Sequence, residues 1–86
     1  MREGGRAVRS TEAFRGLFAA RLDLLVAESG LSHRDWADLI GCSPSAISML
    51  RNGLRVPGFE RAAVIAEVAG VSLDWLSGAS DVRERR

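Results

Sequence analysis

Residues Leu31 to Gly53 read LSHRDWADLIGCSPSAISMLRNG, two short apolar stripes separated by one glycine. The Ser32 hydroxyl can accept a bond from the free N–H groups of a new helix, and Asp35 puts a carboxylate in its positive first turn. The spacing predicts a helix over 33–40. Trp36, Ala37, Leu39 and Ile40 fall on its apolar side, and His33, Arg34 and Asp38 point away. Gly41 supplies the left-handed backbone that ends it. Ser43 restarts the chain as an N-cap, and Pro44 stands at the first helical position, where a missing N–H costs nothing. Two helices with almost no linker must cross steeply, which is the helix-turn-helix arrangement. In the second, Ala46, Ile47 and Leu50 are the apolar candidates. Pro44, Ser45, Ser48, Met49 and Asn52 remain outward, a neutral face of small residues and one thioether. Asn52-Gly53 reads as the stop, so the motif spans 32–52.

Outward from this motif the chain continues in helices. MREGGRAVR offers neither periodicity nor a burying face, so residues 1–10 are expected to be a disordered tail. Ser10 or Thr11 can cap a long first helix in which Phe14, Leu17, Phe18, Leu22, Leu25 and Val26 recur at helical steps up to Ser29. Gly16 weakens its first turns by about 1 kcal/mol relative to alanine, which leaves two starts open, Thr11 and Leu17. Leu54 to Gly58 form a loop by their Pro-Gly pair. A fourth helix follows with Phe59, Ala62, Ala63, Ile65, Ala66 and Ala69 inward, ending at Gly70. Ser72 caps a short fifth helix carrying Leu73, Trp75 and Leu76, closed by Gly78. The fold class is therefore all-α, a compact five-helix bundle over 11–78, with a charged tail, 79–86, expected to fray.

Composition allows one small module. The 86 residues, 47% of them hydrophobic, suffice for one helical core but not for an enclosed substrate chamber as well. The formal net charge is only +1, from twelve arginines against eleven acidic residues, with no lysine. A strongly basic domain would have pointed to nucleic acid by charge alone. Local distribution says more, since residues 1–21 carry five arginines against two glutamates, a segment charge of +3. A lone Cys42 permits no internal disulfide and no zinc knuckle, which fits a reduced, cytoplasmic setting. No apolar run approaches the ~20 residues a membrane span needs, and the N-terminus lacks the apolar centre of a secretion signal.

Gly30-Leu31-Ser32, Ala37, Gly41, Ser43, Ile47-Ser48, Asn52-Gly53, Pro57, Ala66, Gly70-Val71-Ser72 and Asp74-Trp75-Leu76 together make the chain resemble the lambda-repressor-like helix-turn-helix domains, also called Cro/repressor or XRE-type. The resemblance covers roughly residues 18–78. It implies a DNA-binding transcriptional regulator, a repressor of the phage or prokaryotic type. It further implies double-stranded DNA as partner, a homodimer on a two-fold operator, and the second helix of the motif in the major groove of nucleoid DNA. By the same resemblance Pro44, Ser45, Ser48 and Met49 take the base-reading positions, and His33, Ser43, Asn52 and Arg55 the phosphate-contacting ones, to which Arg51 is added by its own charge as a candidate backbone contact. Relatives commonly begin this helix with glutamine or arginine and often carry a glutamine where Met49 stands, and this chain has no such bidentate reader. That favours thymine-methyl contacts, water bridges or DNA shape as the source of specificity. Relatives also pair an arginine late in the first helix with a glutamate near the end of the recognition helix. Val26 and Arg51 stand there instead, so that ion pair is expected to be missing, and Arg51 must reach solvent, an acid or a phosphate.

Blander readings stand beside these. His33 can be a solvated surface histidine, Ser43 and Asn52 simple helix caps, and Ser45, Ser48 and Met49 tolerated surface. Trp36 and Trp75 fall at core spacing and read as packing anchors rather than a ligand cage. Cys42 reads as a buried structural thiol. Asp35, Asp38 and Glu60 have no companion nucleophile or histidine at a usable spacing. No catalytic residue, metal site, cofactor or small-molecule substrate is therefore expected. Leu54, Val56 and the end of the fifth helix near Leu76 are candidate dimer contacts. Two alternative functions stay open: a protein-interaction module of the same fold, and an antitoxin that represses its own operon.

Overall fold

The computed structural model describes residues 11–85, so the expected tail over 1–10 lies outside the described residues. Five helices run in order: α1 Thr11–Ser29, α2 His33–Ile40, α3 Pro44–Arg51, α4 Phe59–Ala69 and α5 Leu73–Ser77. Local chemistry accounts for most of their ends. Ser32 and Asp35 form a complete capping box at α2, with Ser32 Oγ accepting from the Asp35 amide and the Asp35 carboxylate accepting from the Ser32 amide. Gly41 closes α2 with φ +85°, a left-handed conformation that a Cβ would oppose. Ser43 and Ser72 cap α3 and α5 by the serine half of this pattern alone, each Oγ accepting from the amide three residues on. Despite Gly16, α1 already includes Thr11, the first described residue, so it does not start near Leu17.

α1 lies across α3 and α5, α2 packs on α3 and α4, and α4 on α5. The core takes Phe18, Leu22, Leu25 and Val26 from α1, Trp36, Ala37 and Ile40 from α2, and Ile47 and Leu50 from α3. Ile65, Ala66, Val71, Trp75 and Leu76 complete it. Burying a side chain of this size stabilises by roughly 1.5–3 kcal/mol, which identifies both tryptophans as packing anchors. Trp36 also donates its indole N–H to Ser29 Oγ at 3.0 Å, so no polar atom of that ring is stranded in the core.

Five expectations from the sequence are corrected here. Phe59 is 79% exposed: it opens α4 about two turns before Ala66, and although it points the same way, none of the described elements covers it. Leu39 is 53% exposed, because it sits about 100° around α2 from Ile40, past the edge of the buried stripe. It lines a shallow groove with Leu31 and Val68 instead. Cys42 is half-buried against the rim of the core rather than enclosed. Leu76 is completely buried beneath α5 and has no surface to offer a second copy.

The fifth correction is the C-terminal segment, which is held rather than frayed. Val71 and Glu84 form a single antiparallel bridge pair, and the Ser72 amide donates to the Arg83 carbonyl at 2.8 Å. The Arg21 and Arg83 guanidinium carbons lie 4.9 and 5.3 Å from the centre of the Trp75 ring, within cation–π range. Arg21 donates to the carbonyls of Trp75 and Ser80, and Arg83 grips both oxygens of Glu28. That contact holds the Glu28 carboxyl below its ordinary pKa.

Candidate nucleic-acid interface

α3 positions the site because one side of it is fully used. Ala46, Ile47 and Leu50 are 6%, 0% and 1% exposed, which fixes the rotation of the helix against α1 and α2. At about 100° per residue, Pro44, Ser45, Ser48 and Met49 then fall within an arc of about 140° on the opposite side. Pro44 and Ser45 are exposed and Ser48 and Met49 half-buried. The four form a low ridge without charge. It offers two hydroxyls, a thioether and a proline ring, groups able to meet hydrogen-bonding base edges and methyl groups in a groove.

The five residues expected at phosphates are distributed around this ridge. Ser43 is exposed at the start of α3; its Oγ accepts from the Ala46 amide at 3.1 Å, which leaves the hydroxyl proton to donate outward. Capping and an outward contact are thus compatible. Asn52 is exposed as the C-cap residue of α3, and the left-handed turn that follows falls on Gly53, with φ +74°. Arg55 is exposed in the loop beyond and has no ion-pair partner among the described residues. His33 is half-buried as the first residue of α2.

Of the three partners left open to it, solvent, an acid or a phosphate, Arg51 meets an acid. It is neither free nor simply solvated: its Nε donates to Asp23 Oδ1 at 2.8 Å, its Nη2 reaches the same oxygen, and its Nη1 lies 2.6 Å from His33 Nε2. An ion pair therefore does join α1 to the end of α3, with the acid on α1 and the base on α3, one helical turn before Val26. It sits at the surface, the side chains of Arg51 and Asp23 being 25% and 55% exposed. Asp23 is the member that sequence reasoning missed. Only part of the signal was in the sequence, because a residue three positions before Val26 shares its helix face, while its meeting with Arg51 depends on how α1 packs on α3. Since an arginine can only donate, His33 Nε2 must accept, which places the imidazole proton on Nδ1.

Among the described residues no group of histidine, cysteine, aspartate and glutamate side chains is arranged to hold a metal ion. No described helix is long and apolar enough to cross a membrane. Compared with known protein families, residues 22–76 match the family described as helix-turn-helix. No curated protein and no solved structure matches the chain.

Proposed function

This chain belongs to the lambda-repressor-like, XRE-type helix-turn-helix family of DNA-binding regulators, and from that premise we propose that it is a repressor that occupies an operator as a homodimer with α3 in the major groove. The observation that carries this reading is the neutral ridge of the exposed Pro44 and Ser45 and the half-buried Ser48 and Met49, turned outward by the buried side of the same helix. Phosphate contacts by Ser43, Asn52, Arg55, His33 and Arg51 set the register, and the ridge reads the bases. Two-fold symmetry then spaces two copies of α3 about 34 Å apart on one face of the duplex. Leu54, 69% exposed, and the half-buried Val56 are the remaining candidates for the contact between copies.

Titration against random-sequence duplex at rising salt tests the proposal. If DNA is the partner, log affinity falls against log salt with a slope of about 0.9 for each phosphate contacted. Binding indifferent to salt, or none at low salt, supports a protein-interaction module instead, the reading that the near-neutral charge of the chain would suit. Selection of bound fragments from random oligonucleotides then tests the dimer, because a recovered palindrome reports symmetry and half-site spacing together.

A further inference from the structure

We infer that Asp23 is an internal substitute for a DNA phosphate, a positioning residue that holds Arg51 and His33 in place while lowering the affinity for duplex. The inference rests on the DNA-binding reading above and adds to it a residue of α1, outside the helix-turn-helix itself. Three observations carry it. First, the nitrogens of Arg51 are engaged: Nε and Nη2 on one carboxylate oxygen, Nη1 on His33 Nε2. Second, the pair lies at the surface, with the side chains of Asp23 and Arg51 55% and 25% exposed, so neither partner is sealed from an anion in solution. Third, the cluster sits at the C-terminal end of α3, beside the exposed Asn52.

A carboxylate and a phosphate compete for the same donor fork with similar charge-assisted geometry. With His33 neutral and accepting, the charges of Asp23 and Arg51 cancel, so the cluster draws a nearby phosphate only weakly. An exposed pair of this kind adds little to folding, which leaves restraint of the arginine as its principal effect. Without the carboxylate charge, one net positive charge faces the backbone of the duplex. Affinity then rises for every sequence alike, because phosphates carry no sequence information.

The test is a double-mutant cycle on full-length protein, using Asp23→Asn, Arg51→Gln and the double variant against random-sequence duplex between 50 and 200 mM salt. The expected result for Asp23→Asn is affinity raised severalfold at 50 mM and a salt slope steeper by about 0.9, so that the advantage shrinks about 3.5-fold across that range. In the Arg51→Gln background the gain disappears. Unchanged or weaker binding by Asp23→Asn overturns the inference, and so does a gain that survives without Arg51, because it would come from long-range charge alone. Nitrogen NMR of His33 in mildly alkaline buffer reads the cluster without DNA: the proton is expected on Nδ1 in the parent, and a proton on Nε2 overturns the geometry. A parent that binds no duplex at low salt removes the functional reading itself. A parent that binds normally while Asp23→Asn gains nothing removes only the role of Asp23.

Discussion

Where α5 meets residues 79–85, Arg21 and Arg83 are consumed by carbonyls, by Glu28 and by the Trp75 ring, whereas within the helix-turn-helix and the loop after it the guanidinium groups of Arg34 on α2 and Arg55 beyond α3 stand exposed without an ion-pair partner among the described residues. The same side chain does two kinds of work. At the C-terminal clasp it meets backbone acceptors and an aromatic face at partly buried positions, where a charge-assisted hydrogen bond contributes to folding. At Arg34 and Arg55 no acidic partner stands among the described residues, so the charge contributes almost nothing to stability and stays available to an anionic partner. Arg51 differs from both, being paired with one carboxylate and a histidine instead of backbone carbonyls and an aromatic face.

The comparison breaks most visibly at Trp75. Trp75→Ala removes a ring that is 6% exposed together with the surface both guanidiniums cover, and is expected to cost about 3–5 kcal/mol in urea unfolding. A cost near that of an ordinary surface change would mean that the clasp is not structural. Arg21→Ala should be smaller, about 1–3 kcal/mol, and should speed hydrogen exchange at the Ser72 amide, which is bonded to the Arg83 carbonyl. On the other side of the molecule, Arg55→Ala is expected to leave stability within about 0.5 kcal/mol while weakening binding to all duplexes and lowering the salt slope by about 0.9. Met49→Ala should change the ranking of sites and leave random-duplex affinity nearly as it was, and competition between two selected sites would measure it.

The smallest expected effect is the response to acid. Because Arg83 holds the Glu28 carboxyl below its ordinary value of 4.5, the pair stabilises the clasp at neutral pH, and that contribution fades as pH falls below 4.5 through the lowered value. Glu28→Gln should flatten this part of the stability profile. An unaltered profile would mean that the contact does not persist in solution.

The helix boundaries were legible residue by residue because they depend on neighbours in the chain. Ser32 with Asp35, Ser43 with Pro44, and Ser72 each satisfy backbone groups within a turn of themselves. Gly41 needs only its own lack of a Cβ. The ridge on α3 was also legible, since periodicity alone separates Ala46, Ile47 and Leu50 from the residues between them. Phe59 and Leu39 were not, because a helical repeat gives the direction of a side chain and says nothing of whether another element lies across from it.

From its own pattern, then, the sequence determined five helices, a helix-turn-helix and the identity of the outward residues, all consequences of capping and periodicity over a few positions. Tertiary structure alone decided that Asp23 meets Arg51 twenty-eight residues away, that residues 79–85 close over Trp75, and that Leu76 is hidden while Phe59 is exposed. These outcomes depend on which surfaces the packed helices bring opposite one another, a relation between distant parts of the chain that local chemistry does not encode.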